Sequence, residues 1–312
     1  WREASSKALF AGGHTPSASN VIDYITISSA GDATDFGDLI TTKERTQAGA
    51  SFTRAIFGGG QSPSATNVIE YVTFTSTGNA ADFGDLTSAT TNMNGGCQSN
   101  STRALFSGGG TDPGGGNYVN VIEYVTIAST GNATDFGDRT VSNRSGAKFS
   151  SPTRAFYACG HDAPAPANTI DFVTIATTGD AADFGDASFS RRELSGGSSS
   201  TRGVYAGGTD AAADFNTDID NITMTSQGNA IDYGNLNVGV YSGAATSNSV
   251  KAIFGGGNKS GSLANDIEQF TIVNGGTGTD FGDLSAARGY LEASSNSHGG
   301  LNDGYQGTRI PV

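Results

Sequence analysis

The chain reads as an all-β fold, and three observations say so. It repeats itself six times, each copy breaks into short runs rich in β-branched and aromatic residues, and glycine is abundant between those runs. Glycine numbers 46 of 312 residues, about twice its usual share, while hydrophobic residues make up only 36%. That balance disfavours a large leucine-rich helical core and suits short strands joined by tight turns. No segment sustains a 3.6-residue period over the eleven or so residues a helix needs. Nor does any apolar stretch approach the roughly 18 residues that would span a bilayer.

Two independent rulers define the repeat. The first is the aromatic before a glycine pair: Phe10, Phe57, Phe106, Tyr157, Tyr205 and Phe254. The second is the aromatic of a D-F-G-D-like run: Phe36, Phe83, Phe136, Phe184, Tyr233 and Phe281. Both recur every 48 residues or so. The second copy shows four strand candidates: Ala48 to Phe52, Arg54 to Gly60, Asn67 to Phe74, and Ala81 to Leu86, the last two separated by a Ser76-Thr77-Gly78-Asn79 turn. The first candidate is built from small residues in every copy (Glu3 to Ser6, Ala48 to Ser51, Gly95 to Gln98, Gly146 to Phe149, Gly196 to Ser199, Gly243 to Thr246). Glycine in a strand costs roughly 0.5–1 kcal/mol relative to alanine, so its reuse there implies crowding around a common axis. Four antiparallel strands per unit at this repeat length predict the blades of a six-bladed β-propeller. The expected repeats are 1–47, 48–94, 95–145, 146–195, 196–242 and 243–297, with 298–312 as a C-terminal tail.

A glycine pair after an aliphatic–aromatic strand, a strand carrying Tyr, and a strand carrying a large aromatic together resemble the kelch repeat, with Phe or Tyr where kelch blades usually carry Trp. The wording T-R-A-I-F-G-G-G, N-V-I-E-Y-V-T-F and S-T-G-N-A-x-D-F-G-D-L is similar to the kelch-like repeat proteins of tailed, particularly marine, bacteriophages. The resemblance covers Trp1 to about Leu284. It implies a virion or extracellular location, as a tail fibre or surface-exposed particle protein, with other virion proteins and a host-surface glycan or protein as partners.

Ring closure is open at this stage. Seven first-strand candidates serve six units, because Leu291-Glu292-Ala293-Ser294-Ser295 repeats the pattern of Trp1 to Ser6. One of them completes the sheet where the termini meet, mixing N- and C-terminal strands.

The formal net charge of −13 opposes binding to nucleic-acid phosphates. Cys97 and Cys159 are read as small strand residues rather than a disulfide framework. Every third strand carries an acid (Asp23, Glu70, Glu123, Asp171, Asp220, Glu268) and every second strand opens with a base (Lys7, Arg54, Arg103, Arg154, Arg202, Lys251). The expectation is that acid and base pair across neighbouring strands, since catalysis needs one differentiated site rather than six copies. The D-F-G-D runs are read as turn-capping, with calcium the lesser alternative and no other cofactor expected. His14, His161 and His298 are too few and too dispersed for a shared metal. A G-x-S-x-G nucleophile elbow is missing, and no glycine-rich stretch opens a helix as a phosphate loop would.

Comparing the copies separates two kinds of loop. Turns between third and fourth strands are nearly uniform: Gly31-Asp32, Gly78-Asn79, Gly131-Asn132, Gly179-Asp180 and Gly228-Asn229. Loops after the second strand and links between units vary freely, and in an up-and-down blade both emerge at one end. That end is the expected recognition face, with His14, Tyr118, His161, Phe215, Arg191, Arg192, Tyr241 and Tyr290 as candidate contacts. The reading is a non-enzymatic binding component. The alternatives are a glycan hydrolase or lyase using non-repeating carboxylates such as Glu44 and Glu193, and a passive decoration protein.

Overall fold

A computed structural model describes residues 6–112, 117–162 and 164–301. Trp1 to Ser5, Ala163 and residues 302–312 of the expected tail, like 113–116 of the third unit's loop, lie outside the described residues. The fold is all-β, built from several small antiparallel sheets, and six of these follow the six repeats.

The first sheet orders its strands Glu292–Ser295, Lys7–Ala11, Val21–Thr26 and Thr34–Asp38. The second runs Gln47–Ala50, Arg54–Gly58, Val68–Thr73 and Ala81–Asp85. The fourth runs Ala147–Ser150, Arg154–Asp162, Ala165–Thr174 and Ala182–Asp186, and the sixth Ala244–Ser247, Lys251–Gly255, Asp266–Thr271 and Thr279–Asp283. The fifth, Ser195–Ser198, Arg202–Ala206, Asp218–Thr223 and Ile231–Asn235, adds Gly276–Thr277 of the sixth unit in parallel. Of the two candidates for the first strand of unit one, Glu292–Ser295 holds the place: Leu9 faces Ser294 and Phe10 faces Ala293.

The second strands read as unbroken apolar runs because both of their faces are covered: Ala55, Ile56, Phe57 and Gly58 are all buried. What covers them explains both sequence rulers. Six apolar cores lie between successive sheets, and each joins a fourth-strand aromatic of one unit to a second-strand aromatic of the next. Phe36 meets the core of Phe57, Phe83 that of Phe106, Phe136 that of Tyr157, and Phe184 that of Tyr205. Tyr233 packs with the cluster holding Phe254, and Phe281 shares a core with Phe10. The sixth unit is thus joined to the first as the others are to one another. Burying each such ring contributes roughly 1.5–3 kcal/mol.

The uniform turns have a matching task. The N–H of Gly78 donates to Phe36 O at 2.7 Å, Gly131 to Phe83, Gly179 to Phe136, Gly228 to Phe184, and Gly31 to Phe281. Each turn thereby clips onto the fourth strand of the preceding unit. The glycine of D-F-G-D permits the approach: a Cβ on Gly84 would lie 2.4 Å from Gly131 O, and its φ is +148°. The next residue's N–H donates the clip's second bond, as when Asp85 N donates to Asn132 Oδ1 at 3.1 Å. The run is therefore an inter-sheet joint. The expected local Asp-to-backbone bond is made by Asp232, whose Oδ1 accepts from Gly234 N at 3.2 Å.

Unit three departs from the pattern. No first strand forms at Gly95 to Gln98, contrary to the sequence reading, and its sheet has three strands, Arg103–Ser107, Val121–Thr126 and Thr134–Asp138. Isolated bridges remain, Ala48 with Cys97, Gly96 with Gly196 and Ser99 with Ala104. Gly95 and Gly96 instead run in among the first strands of other units. Gly95 O accepts from Lys148 N and Gly196 N, and Gly95 N donates to the Glu292 carboxylate at 3.0 Å. A Cβ on Gly95 would fall 1.9 Å from Gly146 O, so no other residue fits.

At the opposite ends of the first strands, hydroxyls stitch unit to unit. Ser295 Oγ donates to Ser247 O, Ser247 to Ser198 O, Ser198 to Ser150 O, Ser150 to Ser99 O, and Ser99 to Ala50 O. Ala50 is the member without a hydroxyl, and there His298 Nε2 reaches both Ala50 O and Ser99 Oγ at 3.1 Å. His298 and the short 3-10 turn Gly299–Leu301 are buried, so this part of the expected tail is packed against the first strands.

Candidate functional site

The variable loops and links meet in pairs. In each of six seams, a link residue of one unit bridges to the loop after the second strand of the next: Glu44 with Gln61, Thr91 with Gly110, Arg144 with His161, Arg192 with Thr209, Tyr241 with Asn258, and Gly289 with His14. Both diversified classes therefore occupy one end of the sheets, as the up-and-down strand order requires.

The residue after each bridging link residue takes a left-handed backbone. These are Arg45 (φ 62°), Asn92 (58°), Ser145 (54°), Glu193 (60°), Ser242 (53°) and Tyr290 (55°). Backbone hydrogen bonds tie them into a cycle. Arg45 N donates to Tyr290 O, Tyr290 N to Ser242 O, Ser242 N to Glu193 O, Glu193 N to Ser145 O, and Ser145 N to Asn92 O, all within 3.0 Å. Met93 N completes it by donating to Arg45 O at 3.2 Å, one residue late because the chain here turns toward Gly95.

The candidate contacts fall into three groups. Tyr118 hydroxyl and His161 Nδ1 lie 2.6 Å apart, with Arg144 over the Tyr118 ring at 5.2 Å. Burial, then the charges of Arg192 and Arg144, lower the His161 pKa. Phe215 and Tyr241 pack with ring centroids 5.2 Å apart, and the Arg45 guanidinium lies 4.1 Å from the Tyr290 ring centroid. Burial and the Glu193 carboxylate raise the pKa of both Tyr241 and Tyr290. His14 Nδ1 sits 2.8 Å from Glu44, whose other oxygen accepts from Gln61 at 3.0 Å. His14 and His161 thus serve different seams with different partners.

Two expectations need correction. Arg191 is no contact residue: it is fully buried and pairs with Asp220 at 2.9 Å. Nor do the repeated acids pair with the second-strand bases. The register sets Lys7 opposite Thr26 and Asp23 opposite Phe10, so base and acid lie at different ends of the strands. The acids are instead met by cations from links just beneath the loops: Arg288–Asp23 at 2.6 Å, Lys43–Glu70 at 2.5 Å, Arg139–Asp171 at 3.0 Å and Arg191–Asp220. Three of these cations stand seven residues past the fourth-strand aromatic of the preceding unit, a regularity present in the sequence. Where that place holds Val240, Lys259 of the loop meets Glu268 at 3.1 Å. Where it holds Thr90, Glu123 has no ion pair among the described residues, and burial raises its pKa. The second-strand bases lie against aromatics, as Arg54 over Tyr71 at 4.8 Å, and donate to carbonyls of the next unit such as Ile127 O at 3.0 Å.

Beneath the cycle two buried charges hold the Met93 to Gly96 segment. Glu292 accepts from Gly95 N, and Lys148 Nζ donates to the carbonyls of Met93 and Asn94. Burial raises the Glu292 pKa to about 7 and lowers that of Lys148 to about 7. Cys97 and Cys159 are buried free thiols, their pKa values raised to about 12 by desolvation. Among the described residues, no group of three or more His, Cys, Asp or Glu is placed to hold a metal, and no helix is long and apolar enough to cross a membrane. No protein-family model matches the chain, and no curated protein matches it.

Proposed function

We propose that the chain is a closed six-bladed, kelch-like β-propeller. As a surface-exposed component of a phage virion, such as a tail fibre, it binds a host-surface glycan or protein through its variable loop face. Closure is supported by the sixth-to-first junction, which repeats the shared core, the turn clip and the cation–acid pair found together at three of the other five junctions. The binding role rests on one observation: both variable loop classes bridge to each other at a single end, while the other end repeats the same joint. Irregular loops fixed on a rigid frame are the usual seat of recognition. A non-enzymatic role suits the repeated acids, four of which are committed to buried ion pairs. Virion placement rests on the sequence resemblance alone. The test is retention of the purified chain on host cells and envelope glycans, with Tyr118→Ala and Phe215→Ala lowering it at least tenfold. Retention unchanged in both variants, or none by the parent chain, would end this reading.

A further inference from the structure

We propose that residues 93–97 form a strap with two seats: the one seen here, clasped between Glu292 and Lys148, and the first-strand place of unit three, where no strand forms. This change of seat is independent of what the loop face binds. The second seat is half taken already. Ser99 bridges Ala104, and Leu105 N donates to Gln98 O at 2.9 Å, in the register by which Ser198 faces Gly203 in unit five. Continued in that register, Cys97 would face Phe106 and Gly96 would face Ser107. Instead the chain turns away at Cys97, which bridges Ala48 in parallel, and Gly96 bridges Gly196. Glycine permits both courses. Gly95 and Gly96 take φ of 139° and 125° here, whereas Gly196 and Gly197 lie in a regular strand.

What holds the strap in the observed seat breaks the small-residue rule of the first strands. In the five that form, the long polar side chains are Gln47, Lys148 and Glu292, all of them buried. All three serve this segment or the gap it leaves. Glu292 accepts from Gly95 N at 3.0 Å, and Lys148 Nζ donates to Met93 O and Asn94 O. Gln47 covers the gap: its Nε2 donates to Leu105 O at 2.8 Å and its Oε1 accepts from Ser107 N at 2.9 Å. The equivalent residues of unit five, Val204 and Ala206, pair with their own first strand at Gly197 and Ser195. One side-chain amide thus stands in for a strand, and a strand can displace it. Burial opposes both charges of the clasp, raising the Glu292 pKa and lowering that of Lys148. The first strands of units five and six form with no charge at all. Two buried charges therefore add nothing that a strand requires, and they select one seat over the other. The strap also reaches the loop end. Met93 N donates to Arg45 O and Ser145 N to Asn92 O, so a change of seat pulls on the left-handed cycle.

In the full chain, Lys148→Met combined with Glu292→Gln removes both charges at nearly constant size. The second seat is read by NMR as an Hα–Hα contact between Cys97 and Phe106. Its population is expected to rise at least tenfold over a parent that holds it at on the order of 1%. A variant that folds with Cys97 still beside Ala48, and without that contact, overturns the proposal. Disulfide trapping by the native Cys97 decides the matter if the paired changes prevent folding. Ala48→Cys captures the observed seat. Phe106→Cys captures the second, where opposed residues outside the hydrogen-bonded pairs have Cα atoms about 4.5 Å apart, within reach of a disulfide. Both variants are expected to cross-link to Cys97 under mild oxidation. Cross-linking in Ala48→Cys alone means that the strap has one seat, and the proposal fails.

Discussion

The two ends of the sheets join the same six units by different means. At the turn end one device serves five of the six junctions, a turn N–H on the preceding aromatic's carbonyl and a glycine that lets it approach, with serine hydroxyls passing from first strand to first strand. At the loop end the joint is carried by backbone bridges and by the left-handed cycle, and the side chains above them differ from seam to seam. Backbone joints leave side chains free to vary. The uniform end is uniform because its glycines and hydroxyls are themselves the joint.

Between these ends lie the buried ion pairs, and they allow the sharpest test of the comparison. Arg288→Leu strands the Asp23 carboxylate without its cation and is expected to destabilise by about 3–5 kcal/mol. Glu123→Gln, at the equivalent acid without an ion pair, should cost under about 1 kcal/mol. Urea unfolding of the two variants measures both, and equal costs would break the assignment of the cations as inter-unit pins.

His298 marks where the serine series is interrupted. Burial lowers its pKa from 6.5 to about 4, so the unfolded chain takes up a proton that the folded chain refuses. Stability attributable to this group is complete above pH 6.5 and is lost as the pH falls to 4. The loss is about 3 kcal/mol at 1.36 kcal/mol per unit. The difference in stability between the parent and His298→Asn should follow that course and be flat above pH 7. A pH-independent difference would remove the buried neutral imidazole from the account. Smaller still is Gly84→Ala, which sets a Cβ against Gly131 O at a positive φ and should cost more than about 1 kcal/mol. Calorimetry comparing it with Ser145→Gly at the loop end sharpens the contrast, since glycine is required at one position and only tolerated at the other.

Much of this was legible beforehand. The aromatic rulers, the strand order and the sorting of uniform from variable loops follow from residue type and spacing, because period and turn chemistry are local properties. The candidate face was legible as a set of loops and not as a set of partners. Tyr118 with His161 and Phe215 with Tyr241 form pairs across 43 and 26 positions of chain, which no local pattern encodes. Arg191 looked like its half-buried neighbour Arg192 because adjacent positions carry no mark of which one turns inward.

The sequence alone determined six near-equal units of short strands, since β-branched and aromatic runs bounded by glycine can form little else. Only the tertiary structure decided what joins them. Four of the six acids proved to pair with a cation of the preceding unit, and the Gly95-Gly96 pair left its strand to fill the space among the others. Glu292–Ser295 took the place that Trp1 to Ser6 also matched. Each of these depends on contacts between residues distant along the chain, where packing space and register rather than residue type choose the partner.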